Sequence, residues 1–210
     1  MRAAVLTGDL IGSTKAGPSA TDAAIQAIRE AAETAQTWTN APVRFERYRG
    51  DGWQMLLSEP KFALRLSLMI TAKLVASRTG LLSRIAIDVN EIDDIRARTL
   101  AEESAEAFVK SGKALDDLPD ATPIVLAGHK IPRMAFAALL MADKVARDWT
   151  PEQAEAIALA LSPQKPTIRE IAETLGISSA AAGYRLTGAY YREMRNVAEA
   201  FEQDQKDWKE

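Results

Sequence analysis

"VRFERYRGDGWQMLLS", residues 43–58, is the stretch whose reading decides the fold. Apolar and aromatic residues alternate on both sides of Gly50-Asp51-Gly52, which is the pattern of two short strands joined by a tight turn with an acidic tip. Working outward, "PKFALRLSLMITAKLVASRTG" (60–80) reads as an amphipathic helix with Pro60 in its first turn and Gly80 at its end. "LLSRIAIDVNEID" (81–93) reads as a strand, half alternating and half continuously apolar. On the other side, "ATDAAIQAIREAAETAQTW" (20–38) repeats apolar residues at helical spacing, with Thr21 and Asp22 as capping candidates. "RAAVLTGDLI" (2–11) is a buried strand candidate of about six residues ending at Asp9. The order strand, helix, strand, strand, helix, strand is the ferredoxin-like split arrangement.

That topology gives two acidic residues a common destination. The first strand and the central hairpin lie side by side in it, so Asp9 and Asp51 are expected to converge although 42 positions separate them. Such a pair suits magnesium, which is held by one or two carboxylates together with substrate phosphates. Within five residues of Asp9 the chain supplies Gly12, Ser13 and Thr14, small groups that let a backbone approach a phosphate. Alone, a Gly-Asp-Gly is what any tight hairpin requires, and Gly-Ser-Thr is a loop with capping hydroxyls. Both motifs in strand context and in this order are more specific than either.

On these residues the chain resembles a known family. "GDLIGST" (8–14) is similar to the first metal-binding motif of class III nucleotidyl cyclases, and "RYRGDGWQMLL" (47–57) to their hairpin motif with its second metal carboxylate. The resemblance implies Asp9 and Asp51 as metal ligands and the amides of Leu10, Ile11, Gly12 and Ser13 near a triphosphate. It also places Arg47 where many of those enzymes carry a base-recognising lysine. Residues 1 to about 118 are similar to the SatD family of small bacterial proteins with a cyclase-like core, notably at "RIAIDVNEID" and "AEAFVKSGKALD". The departure lies further on. Aligning Gly112 of "SGKALDDLPD" with the glycine that precedes the transition-state asparagine and arginine of the cyclases puts Asp116 and Asp120 at those two places. Negative charge there opposes the stabilisation that phosphoryl transfer needs, unless Lys110 or Lys113 substitutes. The resemblance thus implies metal–nucleotide binding and leaves product formation open.

The C-terminal part reads differently. "IPRMAFAALLMADKVARDW" (131–149) is a strongly apolar helix that bridges two parts of the chain, and "TPEQ" (150–153) opens a further helix with Thr150 as cap and Pro151 in the first turn. "TIREIAETLGISSAAAGYRLTGAYYREMRN" (167–196) has helix-turn-helix spacing. Ile171, Ala172 and Leu175 share one buried face, a turn follows at Gly176-Ile177-Ser178, and a second helix runs from Ser178. "EIAETLGIS" and "YRLTGA" resemble the helix-turn-helix of sigma-factor region 4 and of many response regulators. By that resemblance the second helix enters the major groove. It presents Ser179, Ala180, Gly183, Tyr184 and Arg185, with Arg192 and Arg195 along the phosphates. The alternative is a trihelical unit that packs on the rest of the chain or on a second subunit and touches no DNA. Beyond Asn196, apolar spacing persists only through Phe201.

Composition limits the chemistry. With 210 residues and 47% apolar side chains the chain is long enough for one domain and a smaller second one, here divided at 145/146. The absence of cysteine excludes disulfides and thiolate chemistry, and His129 is the only imidazole. A net charge of −3 does not mark a nucleic-acid binder by itself; residues 1–150 hold 19 basic and 19 acidic groups, residues 151–210 hold 7 and 10. Locally, though, Arg185, Arg192 and Arg195 face only Glu193 within 178–196. Trp38, Trp53 and Trp149 are expected to pack, and Arg96 and Arg98 to be either phosphate contacts or solvated loop residues. No run approaches the roughly 18 apolar residues of a membrane span and no signal sequence is evident, so a cytoplasmic protein without membrane contact is expected.

The expected protein is therefore α+β, with a ferredoxin-like cyclase-type palm followed by an all-α helix-turn-helix domain. Three functions fit: a homodimeric DNA-binding regulator that senses a nucleotide with Mg2+, an active nucleotidyl cyclase or nucleotidyltransferase, and a ligand-free palm that serves as a dimerisation scaffold.

Overall fold

The computed structural model describes residues 2–48, 50–92, 100, 106–117, 124–127 and 133–204. Arg96, Arg98, Asp120 and His129 lie outside the described residues. The chain is an α+β protein built on a five-stranded mixed sheet: β1 (Arg2–Ile11), β2 (Val43–Tyr48), β3 (Gly52–Leu57), β4 (Leu82–Glu91) and β5 (Ile124–Leu126), in the order β2-β3-β1-β4-β5. The first four pair antiparallel and β5 joins β4 in parallel, with Ile85 opposite Ile124. A parallel neighbour needs a long crossover, and α4 (Glu106–Asp116) lies within it.

Period-two alternation sorts the strands' side chains onto two faces. Ala4, Leu6 and Leu10 of β1, Met55 and Leu57 of β3, and Ile85, Ile87 and Val89 of β4 enter the main core with α2 (Pro18–Gln36) and α3 (Ala63–Ala76). Ala3 and Val5 of β1 and Leu56 of β3 turn the other way and pack against Ala107 and Phe108 of α4. Gly8 marks the closest approach in the sheet: a Cβ there would stand 2.4 Å from the Trp53 ring. Trp53 is fully buried, and its indole N–H donates to the Ser83 hydroxyl at 3.0 Å.

Two local readings need correction. β1 runs two residues past Asp9, to Ile11, because Leu10 and Ile11 continue the pairing with Ser83 and Leu82 of β4. The helix expected to start with Thr21 or Asp22 as its cap begins at Pro18, whose fixed φ suits a first helical position. Thr21 is not its cap; the hydroxyl, one turn inside, donates to the Gly17 carbonyl at 2.9 Å. Asp22 is not the cap either and pairs with Arg47.

The helices α5 (Arg133–Arg147), α6 (Pro151–Ala160), α7 (Ile168–Leu175), α8 (Ser179–Gly188) and α9 (Tyr191–Asp204) complete the described chain. Their start signals are those of the sequence: the Thr150 hydroxyl accepts from the Gln153 amide while the Gln153 side chain accepts from the Thr150 amide. Thr167 and Glu170 form a second such box.

The main core runs across 145/146, and residues 156–186 also hold a smaller cluster of their own. Ala154, Ile157, Ala158 and Leu161, with Met194 and Phe201 of α9, belong to the same hydrophobic cluster as Leu66, Ile70 and Trp53. Arg65 of α3, 1% exposed, donates to the Leu161 carbonyl at 2.9 Å and to the Glu202 carboxylate at 2.5 Å. The indole of Trp149 donates to the Ala189 carbonyl at 3.0 Å. Trp38 and Trp149 are buried, as packing residues should be. Among the described residues no helix is long and apolar enough to cross a membrane.

Candidate functional site

At the end of the β1–β3 ladder the sheet brings the backbones of the two aspartates together. Asp9 stands opposite Gly52, and the Leu10 amide donates to the Asp51 carbonyl at 3.3 Å. That amide is therefore turned to the hairpin and not toward a ligand. Leu10 itself is core, and Ile11 lies in the strand opposite Leu82. Gly12 then leads into α1 (Ser13–Ala16), a single turn in which Ser13 is buried and its hydroxyl donates to the Asp51 carboxylate.

The side chains take different partners. Asp9 lies on the α4 side of the sheet, and Arg84, directly across on β4, forks onto it: Nε donates to Oδ1 at 2.8 Å and a terminal nitrogen to Oδ2. Asp9 is 28% and Arg84 16% exposed, so the pair is partly shielded from solvent. A cavity of about 410 Å3 opens instead beside Asp51, lined by Ser13, Thr14, Thr21, Asp22, Arg47 and Asp51 among others; Asp9 does not line it. Arg47 crosses its mouth to Asp22 at 2.8 Å and donates to the Gly50 carbonyl.

Magnesium held jointly by Asp9 and Asp51 would have to displace Arg84 from Asp9 and share the Asp51 carboxylate with Ser13. A guanidinium neutralises Asp9 and engages both of its oxygens. Of the residues singled out for nucleotide and metal, the structure gathers Ser13, Arg47 and Asp51 around one cavity and leaves Asp9 on an internal ion pair. Asp116 is the last residue of α4. On the sheet, α4 is held by a buried polar chain in which the Thr7 hydroxyl lies 2.8 Å from that of Ser111 and accepts from Gln54 at 3.5 Å.

The second candidate site is helical. α6, α7 and α8 enclose a small core of Ala156, Ala160, Ile171, Ala172, Ala182 and Leu186. Gly176 takes φ 65°, ψ 33°, the left-handed conformation that ends α7, and the Ile177 amide closes the turn on the Ala172 carbonyl at 3.0 Å. The Ser178 hydroxyl caps α8 by accepting from the Ala181 amide at 3.1 Å. Hydrogen bonds from the Thr167 amide and hydroxyl hold the Glu170 carboxyl below its ordinary range.

With one face in the core, α8 turns the other outward. Ser179, Ala180 and Thr187 are exposed and Tyr184 is 80% exposed. A groove of about 770 Å3 runs beside them, lined by Ile168, Gly183, Tyr184, Tyr190 and Arg192 among others. Arg192 is exposed; Arg195 stacks 5.6 Å from the Tyr191 ring centre and pairs with Glu199 at 3.3 Å. Arg185 does not share the outward face. Its guanidinium turns to α6 and donates to Glu155 at 3.1 Å.

Sequence reasoning missed Arg84 and Glu155. Arg84 was visible only as one polar position in an alternating strand, and its role follows from the β1–β4 register. Comparison of the chain with family models, curated proteins and solved structures returns no match.

Proposed function

We propose that this chain is a DNA-binding regulator of the helix-turn-helix class whose N-terminal half is a ferredoxin-like palm. The particular reading is that α8 enters the major groove through Ser179, Tyr184 and Thr187, with Arg192 on the phosphate backbone, and that two copies bind paired half-sites. The observation that carries it is the outward face of α8, with Tyr184 at 80% exposure above a capped, glycine-turned trihelical core. The test is titration of the full chain with a labelled mixed-sequence duplex at several salt concentrations. Binding that weakens as salt rises, and that falls by about two- to tenfold in Tyr184→Ala, supports the reading. Duplex binding that is indifferent to both Tyr184→Ala and Arg192→Ala contradicts it.

A second reading concerns the palm. The cavity beside Asp51 falls within the range of small-molecule sites, and Arg47 at its mouth offers a nucleotide phosphate or base a cation once it leaves Asp22. A rise in thermal stability with a nucleoside triphosphate, lost in Arg47→Ala, supports a sensing palm, and repeating it with and without Mg2+ tests the metal. Release of pyrophosphate from the triphosphate, abolished by Asp51→Ala, would make the chain a nucleotidyl cyclase or nucleotidyltransferase. No shift with any nucleotide leaves the palm as a scaffold.

A further inference from the structure

Arg185 is the only cation of α8, and it is held away from the helix's outward face. Its guanidinium donates to the Glu155 carboxylate at 3.1 Å and to the Glu152 carbonyl at 3.5 Å. Glu155 has a second partner in Arg78, just beyond the end of α3, whose guanidinium lies 3.5 Å from it and donates to Glu152 at 2.7 Å. Arg78 stands at φ 57°, the left-handed region, where the chain leaves α3. A string of charges, Arg78, Glu152 with Glu155, and Arg185, thus runs from the sheet-bearing half across α6 to α8.

These pairs lie within reach of solvent. The four side chains are 56%, 45%, 35% and 24% exposed in that order, so water and salt screen them. A phosphate offers a guanidinium a bidentate, charge-assisted partner in place of a single carboxylate oxygen. We infer that Glu155 is a positioning residue that withholds Arg185 from the DNA backbone in the free chain, and that a phosphate replaces Glu155 on binding. The inference rests on the reading of α8 as the DNA-contacting helix. Once released, Glu155 keeps Arg78 as its partner, so the exit of α3 biases the affinity of α8 for DNA.

The test is a double-mutant cycle on the full chain, with fluorescently labelled mixed-sequence duplex titrated over a series of sodium chloride concentrations. Glu155→Gln is expected to tighten binding by about two- to fivefold, and Arg185→Ala to weaken it and flatten the salt dependence by about one unit of slope. In the Arg185→Ala background the gain from Glu155→Gln is expected to fall to that of Glu193→Gln, which removes a negative charge not paired with Arg185. Arg78→Gln supplies a second reading: it should weaken binding when Arg185 is present and change little when it is absent. An equal effect of Glu155→Gln with and without Arg185, or none in either, overturns the inference while leaving the DNA reading intact. A full chain that binds no duplex at any salt removes both.

Discussion

At the end of the β1–β3 ladder Asp9 meets Arg84, Ser13 donates to Asp51 and Arg47 reaches Asp22, so the charged groups there are partnered inside the fold. On α8, by contrast, Ser179, Ala180, Tyr184 and Thr187 face solvent over a fully formed core. In the first region Asp9 and Arg84, opposite each other on β1 and β4, form a partly shielded ion pair. The second carries few charges on its open face, which lies over the small core, the Gly176 turn and the Ser178 cap. Residue types that suggest chemistry do not make a site until their side chains have somewhere to act.

The largest effect should come from breaking the seam between the two regions. Arg65→Ala removes a guanidinium that is 1% exposed and leaves the Leu161 carbonyl and Glu202 without it, at a cost of about 3 kcal/mol. In urea denaturation one cooperative transition shifted as a whole is expected, because the main core runs from the sheet into α6 and α9. Two separate transitions, with the sheet's midpoint unmoved, would show that the helices fold as an independent domain.

A smaller and paired effect compares a glycine from each region. Gly8→Ala drives a methyl into the Trp53 ring and is expected to cost about 1–3 kcal/mol; Gly176→Ala meets no atom within 4 Å but must hold φ 65°, at about 1 kcal/mol. Equal costs, measured by chemical denaturation, would mean that the sheet relaxes around the clash.

The smallest effect is in pH dependence, where Asp143 of α5 and Glu170 of α7 should respond with opposite sign. Burial raises the Asp143 carboxyl above its ordinary value, against the pull of Arg147. Its contribution to stability is fully present below the ordinary aspartate range and is lost as pH rises through the raised value. Glu170 is held low by Thr167, so its contribution is present above the ordinary glutamate range and is lost as pH falls through the lowered value. Denaturation midpoints followed across mildly acidic pH should show Asp143→Asn gaining on the wild type as pH rises, and Glu170→Gln gaining as pH falls. The same sign for both would contradict these assignments.

Much of the fold was legible because its signals are local. The hairpin declared itself by alternation around Gly50-Asp51-Gly52, the start of α6 by Thr150, Pro151 and Gln153, and the end of α7 by Gly176. What was not legible depends on relations between distant elements. Arg84 is Asp9's neighbour only through the register of β1 against β4, 75 residues apart, and no local propensity encodes that. Arg185 reads as a DNA contact from its place in the second helix; its pairing with Glu155 of α6 in the free chain depends on how α8 packs beside α6, which no local pattern encodes. The shared core was hidden for a similar reason, since Arg65 is buried only because α6 and α9 cover it.

The central claim is that α8 is the surface that meets DNA. Hydrogen–deuterium exchange of the full chain, with and without a saturating duplex, tests it most directly. The account predicts new protection over 178–188 and at Arg192, with the hairpin turn around Asp51 unchanged. Protection confined to the Ser13, Arg47 and Asp51 cavity, or none in α8 while DNA is bound, would contradict it.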